Sequence, residues 1–258
     1  MITVVLPISR TKYLDRVLGP LSGQTRRADS LIVVFEGSDS EFETVKKKVN
    51  ALGFGDVICV KSLNKLPGIS ISDRRRNISG IHNQIAGLIR HDSSEDWVFS
   101  IEDDGILPPD ALERLLRVVD SHPNVGIATG VELGRWGSPY VGAWTVDDIH
   151  EAKNITSLDS KAKSLGTIEE IDACGLYCAL IRADKYVSHH FFMNNGLGPD
   201  VNLGIFVRME GLRNYIDWGV HVTHLTTFWG RDAEIPATDT SVQVSMTRLR
   251  DNIWQINT

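Results

Sequence analysis

The stretch that decides the fold is Trp97-Val98-Phe99-Ser100-Ile101-Glu102-Asp103-Asp104-Gly105-Ile106-Leu107-Pro108-Pro109-Asp110. Five apolar or small residues make a short buried strand. Three consecutive carboxylates follow at its carboxyl end, and Pro108-Pro109-Asp110 opens a helix marked by Leu112, Leu115, Leu116 and Val119. Adjacent carboxylates repel one another unless a cation sits among them. Magnesium and manganese prefer oxygen ligands and also bridge phosphate oxygens. On an extended segment Glu102 and Asp104 point to one side and Asp103 to the other. The same tripeptide also suits a solvated turn before a helix, because helix starts favour acids.

Upstream, short β-branched runs alternate with helical patterns. Strands are expected at Ile2–Leu6, Leu31–Phe35, Val57–Val60, Trp97–Ile101 and Val125–Ala128. Between them lie helix faces at Leu14, Val17, Leu18 and Leu21, over about 40–52, and at Ile78, Ile81, Ile85, Leu88 and Ile89. That alternation implies βαβ units and a mostly parallel sheet flanked by helices. Ligands of such sheets bind beyond the carboxyl ends of the strands.

Downstream, residues 131–167 read as a long excursion with little regular structure, the kind of segment that often serves as a lid or binding loop. Ile168–Ile181 is apolar again. A helix is expected over 199–213, a strand over Ile216–His224, and a C-terminal amphipathic helix from Val242, Met246, Leu249, Ile253 and Ile256.

The chain has 258 residues and a net charge of −6, with 42% apolar and 23% charged residues, which excludes a disordered or fibrous chain. A protein that holds nucleic acid mainly by charge should be basic, so any basic surface here is local. Its three cysteines form no disulfide framework, and the C-x3-C pair Cys174 and Cys178 is a poor zinc signal. No apolar run approaches the roughly 18–20 residues needed to span a bilayer. The start, Met1 to Ile8, reads as a first strand and not as a signal peptide, so a cytoplasmic location is expected.

Four further stretches can carry chemistry. Glu36-Gly37-Ser38-Asp39 follows the second strand. Its acid can accept hydrogen bonds from a base or ribose, and Ser38 or Asp39 can equally cap a helix. Asp73-Arg74-Arg75-Arg76-Asn77 places arginines at a helix start, unfavourable for the dipole but suited to a diphosphate. Gly198-Pro199-Asp200 sets an acid in the first turn of a helix. His224 comes at a strand end, where a metal or phosphate ligand would be placed.

In this order the motifs resemble those of inverting glycosyltransferases of family 2, which have the nucleotide-sugar-binding GT-A (Rossmann-like) fold. The resemblance covers about residues 1–225. It rests on Val4-Val5-Leu6-Pro7, Glu36-Gly37-Ser38, Arg76-Asn77-Ile78-Ser79-Gly80, Glu102-Asp103-Asp104 with Pro108, Asp172 to Arg182, Asp200-Val201-Asn202-Leu203 and His224. Glu36 and Glu102 stand where the family usually has Asp, and Pro199 stands where an acid is common.

The resemblance implies one domain over 1–225, with donor-binding residues in 1–130 and acceptor-side residues in 131–225. Residues 226–258 would be a C-terminal extension carrying the helix. It implies transfer of a sugar from a nucleotide sugar, most simply a UDP-sugar, to an acceptor hydroxyl. Mn²⁺ or Mg²⁺ would be held by Glu102, Asp104 and His224. Asp200 would be the catalytic base. Pro7, Glu36, Asp73, Arg75, Arg76 and Asp103 would bind the donor, with Asp103 on the ribose and Glu36 and Asp73 on the base. Trp136, Tyr140 and Trp144 are candidates for stacking on a sugar.

Three other functions compete. A nucleotidyltransferase would want a Gly-rich basic loop after the first strand, and Pro7-Ile8-Ser9-Arg10-Thr11-Lys12 has no glycine. A non-catalytic nucleotide-sugar or glycan-binding module would bind without turnover. A glycosyltransferase acting on a modified base in DNA would use Arg26-Arg27, Lys46-Lys47-Lys48 and Arg74-Arg75-Arg76 as its footprints.

Overall fold

The computed structural model describes residues 1–63, 71–93, 95–132, 140–146, 152–156, 167–193, 197–228, 231–236, 245–248 and 254–257. The first half follows the expected alternation: β1 (Ile2–Ile8), α1 (Leu14–Ser22), β2 (Ser30–Phe35), α2 (Asp39–Asn50), β3 (Asp56–Lys61), α3 (Ile71–Ala86), β4 (Trp97–Ile101), β5 (Gly105–Ile106), α4 (Ala111–Ser121) and β6 (Val125–Glu132). The second half adds β7 (Tyr140–Val146), β8 (Ala152–Thr156), β9 (Ile168–Ile171), β10 (Ala173–Cys174), β11 (Cys178–Arg182), α5 (Ala183–Ser188), α6 (Pro199–Met209), β12 (Arg213–Phe228) and β13 (Arg231–Pro236), then β14 (Ser245–Arg248) and β15 (Trp254–Asn257).

The main sheet runs β13-β12-β6-β11-β4-β1-β2-β3. Strands β4, β1, β2 and β3 are mutually parallel. Strand β11 enters antiparallel between β4 and β6, so the sheet is mixed, with parallel pairing across β4, β1, β2 and β3 and again between β6 and β12. Its apolar strands have no polar face because both faces are covered. Along β1, Val4, Leu6 and Ile8 join the cluster under α1, α2 and α4, while Val5 joins the cluster under α3, α5 and α6. Helix α4 buries Ala111, Leu112, Leu115 and Val118 along one stripe. Each buried Leu or Val there is worth about 1.5–3 kcal/mol relative to an exposed one.

The order of the strands creates the crevice. From β1 the chain steps outward to β2 and β3, then returns across β1 to lay β4 on its other side. That reversal is a topological switch point, the place where open α/β sheets bind their ligands. Strand β4 accompanies β1 only as far as Val5 opposite Ser100. Pro7, which lacks an N–H, lies past that point and stays paired in register only with Val34 of β2.

Two expectations fail. Residues 131–167 contain strands: β7 pairs antiparallel with β8 and with β10. The run Tyr140-Val141-Gly142-Ala143-Trp144-Thr145-Val146 is rich in β-branched and aromatic residues, which fit a pleated surface. The C-terminal residues 245–248 and 254–257 form an antiparallel pair instead of the expected amphipathic helix. Val242, Val244 and Met246 also recur with a period of two, and that period wins over the helical spacing.

Helix α2 starts as a capping box: Glu41 N–H donates to Ser38 Oγ at 3.3 Å, and Ser38 N–H donates to Glu41 Oε2 at 3.1 Å. This places Ser38, not Asp39, at the cap. On the opposite face of the sheet, buried His82 of α3 meets the Tyr186 hydroxyl of α5 at 2.6 Å and stacks on Phe191. Burial pushes His82 down to about 3 and His189 down to about 4, so both rings are neutral near pH 7. No helix among the described residues is long and apolar enough to cross a membrane.

Candidate active site

The crevice is built by two strand ends and closed by a third element. At the carboxyl end of β4, Asp103 accepts hydrogen bonds from Ser9 N–H at 2.7 Å, Arg10 N–H at 2.8 Å and Ser9 Oγ at 3.2 Å. The Arg10 guanidinium donates to the same carboxylate through Nε at 3.1 Å and Nη2 at 2.5 Å. It also reaches Asp104 Oδ2 through Nη1 at 2.7 Å. Burial opposes the Arg10 charge, but Asp103 and Asp104, then the hydrogen bond to Asp103, then Glu102, raise its pKa above the usual arginine value. All three acids therefore lie within electrostatic reach of one guanidinium.

Strand β12 completes the cluster. It pairs His224 with Gly105, and Leu225 N–H donates to Asp104 C=O at 2.6 Å. This register sets His224 Nε2 3.1 Å from Asp104 Oδ2 and Nδ1 3.6 Å from Glu132 Oε2 at the end of β6. Asp104, His224 and Glu132 are all buried. His224 does not end its strand as expected, because β12 continues to Phe228.

The donor set suits a hard divalent ion in chemical type: carboxylate oxygen from Asp104 and imidazole nitrogen from His224, close enough to share one ion. A guanidinium cation already lies against Asp103 and Asp104, so the place accepts positive charge. Among the described residues no three His, Cys, Asp or Glu side chains form a ready-made metal cage.

Glu36 sits at the end of β2, beside β1, where its N–H donates to Ile8 C=O at 2.7 Å. It is partly buried, and burial raises its pKa. Pro7, Glu36 and Asp103 thus line neighbouring carboxyl ends of β1, β2 and β4. Gly37 has a packing reason: a Cβ there would come within 2.3 Å of the Phe35 ring.

A second group forms around α6. Gly198 is the N-cap, Pro199 occupies the first turn, and Asp200 follows. Asp200 is half-buried. Burial raises its pKa, against the pull of the Val201 and Asp200 N–H groups and of Arg75 from α3. Gly204, one helical turn on and on the same face, lets α6 approach β10 closely, since a Cβ there would be 2.6 Å from Ala173 Cα. Burial pushes the Cys174 thiol of β10 up to about 12, against a hydrogen bond with Thr129 and with a smaller push from the charge of Asp200. Four residues further on, Cys178 pairs with Ile101 of β4. This stretch, which spans at most about 14 Å, joins the strand beside α6 to the strand that pairs with β4. Tyr177 fixes it by donating its hydroxyl to Gly130 C=O at 2.8 Å and Gly142 C=O at 3.2 Å.

The remaining expected residues lie on other elements. Asp73 and Arg76 pair with each other at 3.6 Å on α3, with the Arg76 side chain 65% exposed. Lys48 of the second basic run pairs with Asp15 at 2.5 Å. Trp136 lies outside the described residues, as does the side chain of Tyr140; Trp144 is half-buried on β7. The sequence reading missed Ser9, Arg10 and Glu132 as site residues. For Glu132 a signal existed: a single acid ends an eight-residue strand that is otherwise small or apolar but for Thr129.

No family model matches the chain. Over 147 residues, 56% of this chain, it is 29% identical to a Haemophilus influenzae protein described as an uncharacterized glycosyltransferase. The chain spans about half the length of that curated relative, 46%. Among solved structures, that of GalNAc-T7 with UDP, GalNAc and Mn²⁺ superposes with a TM-score of 0.61 at 9% identity, over 90% of this chain and 45% of the other. At that identity the likeness shows the fold: a mixed α/β, GT-A-like architecture with a large central sheet flanked by helices.

Proposed function

We propose that the chain is a family 2-type inverting glycosyltransferase that moves a sugar from a UDP-sugar to an acceptor hydroxyl. The observation that carries this is the acid cluster Glu102-Asp103-Asp104 at the β1/β4 switch point, gathered around a cation with His224 against it. The relative described as a glycosyltransferase and the GT-A-like fold support it.

Asp104 and His224, with Glu102, would hold Mn²⁺ or Mg²⁺, which supplies neutralisation of the charge that develops on the leaving diphosphate. Asp103, fixed by Ser9 and Arg10, would orient the ribose, while Pro7, Glu36 and Asp73 would face the base. Arg75 and Arg76 are the donor-side cations; Arg75 also favours the charged form of Asp200. Asp200 would take the proton from the acceptor hydroxyl as that oxygen attacks the anomeric carbon. The bond from that carbon to the diphosphate breaks, and the electron pair leaves with UDP. Trp144 remains a candidate for the sugar face.

The test is release of nucleoside diphosphate from a panel of UDP-, GDP- and dTDP-sugars with Mn²⁺. Pyrophosphate as product would point to a nucleotidyltransferase. Donor binding without turnover over a broad acceptor panel would point to a binding module. If EDTA leaves donor binding and turnover untouched, the metal assignment of Glu102, Asp104 and His224 fails.

Glu132 faces the second nitrogen of His224 and would orient the ring toward the ion. Partners of this kind are typically worth 10–100-fold in metal affinity. Glu132→Gln is expected to weaken Mn²⁺ binding in the presence of UDP by about that factor. An electron paramagnetic resonance titration of free Mn²⁺ reads it, and an unchanged affinity would remove Glu132 from the site.

A further inference from the structure

Arg10 stands where a cation would stand. Asp103 and Asp104 are 5% and 0% exposed, whereas the Arg10 side chain is 37% exposed. The acids are thus enclosed, and Arg10 is the partner whose side chain reaches solvent. The Arg10 side chain can leave without freeing Asp103, because Ser9 N–H and Arg10 N–H are backbone anchors that stay in place. Asp104 Oδ2 is different. Both Arg10 Nη1 and His224 Nε2 converge on that one oxygen, at 2.7 and 3.1 Å. An ion bridging Asp104 and His224 would sit beside that oxygen, and two cations held that close in a buried site repel each other strongly.

We propose that Arg10 is the internal counter-cation of the acid cluster: it yields Asp104 to the divalent ion and turns its guanidinium onto the incoming diphosphate. Metal and nucleotide then bind cooperatively, since each favours the arrangement in which Arg10 has left Asp104. A planar guanidinium suits both roles, because its fork matches carboxylate and phosphate oxygens alike. This rests on the donor and metal assignment proposed above, and it makes Arg10 a residue that positions charge at that site.

The experiment is a Mn²⁺ titration of the full chain followed by electron paramagnetic resonance, for the wild type, Arg10→Gln and Arg10→Lys, first without nucleotide and then with UDP. Without nucleotide, Arg10→Gln is expected to bind Mn²⁺ on the order of tenfold more tightly than the wild type. Arg10→Lys, which keeps the charge but loses the fork, falls between. UDP tightens Mn²⁺ binding to the wild type and does so far less in Arg10→Gln. Mn²⁺ should also raise the melting temperature of Arg10→Gln more than that of the wild type, because it replaces the lost counter-charge. Equal Mn²⁺ affinities in wild type and Arg10→Gln, or no Mn²⁺ binding to either, would overturn the proposal. Should Arg10→Gln not fold, an Arg10→Lys affinity equal to wild type overturns it as well. If the nucleotide-free pattern holds but UDP binds none of the proteins, the competition between Arg10 and the ion stands and the UDP-sugar assignment fails.

Discussion

Asp200→Asn should reduce turnover by roughly 10²–10⁴-fold while leaving UDP binding intact, the range expected when a general base is lost. Asn has nearly the same shape and cannot take a proton. It retains a carbonyl oxygen for the N–H groups at the start of α6, so the helix end should survive. The pH profile makes the test sharper. Burial raises the Asp200 pKa, with the backbone N–H groups and Arg75 pulling the other way. A base must be deprotonated to act, so activity is full above its pKa and falls as pH drops through it. The acid limb of the turnover profile is therefore expected above the ordinary carboxylate range. Arg75→Gln should move that limb further up, because it removes the charge that favours the anion. Full turnover in folded Asp200→Asn would end its assignment as the base.

The second large effect lies away from the crevice. Arg114 of α4 reaches Asp217 on β12 with Nε and Nη2 at 3.0 and 2.9 Å, a two-pronged pair. The Asp217 side chain is 5% exposed, and Gly219 N–H adds a bond at 2.8 Å. Gly219 is required by this arrangement: a Cβ there would come within 2.1 Å of the guanidinium. Removing one partner of a buried pair leaves the other charge without compensation, at a cost of about 3–5 kcal/mol. Arg114→Ala should show that loss in urea unfolding, near the upper end if water does not reach Asp217. Arg114→Ala combined with Asp217→Asn should recover much of it, because no isolated charge then remains. A double variant no more stable than Arg114→Ala would mean that the charge is not what the pair contributes.

The site residues differ in how plainly they stand in the sequence. Asp200 sits in a local pattern of glycine, proline and acid that marks a helix start, and Glu102-Asp103-Asp104 sits at the end of a run that became β4 residue for residue. Local rules suffice for such features, though they left the cap of α2 open between Ser38 and Asp39, and of the expected stripe of α4 only Leu112 and Leu115 are fully buried. Arg10 and Glu132 obey no local rule. Arg10 meets Asp103 across 93 positions in the chain, and the meeting depends on β1 lying beside β4. Only the strand order decides that. The C-terminal segment failed for another reason: its apolar residues satisfy periods of both two and 3.6, and spacing alone could not choose. Residues 131–167 look like a loop by composition, yet β10 gives β7 a partner to pair with.

The neutral histidines beneath α3 carry a consequence for life in acid. His82 and His189 keep their protons off in the folded chain down to about 3 and about 4, whereas an unfolded histidine takes one near 6.5. Between those values unfolding draws protons from the solvent, up to two for this pair alone. Stability is then full above about 6.5 and declines as pH falls below it, because the unfolded state binds more protons. The face of the sheet opposite α1, α2 and α4 should therefore be the part that acid loosens first, and replacing His82 with Gln should flatten the decline by one proton.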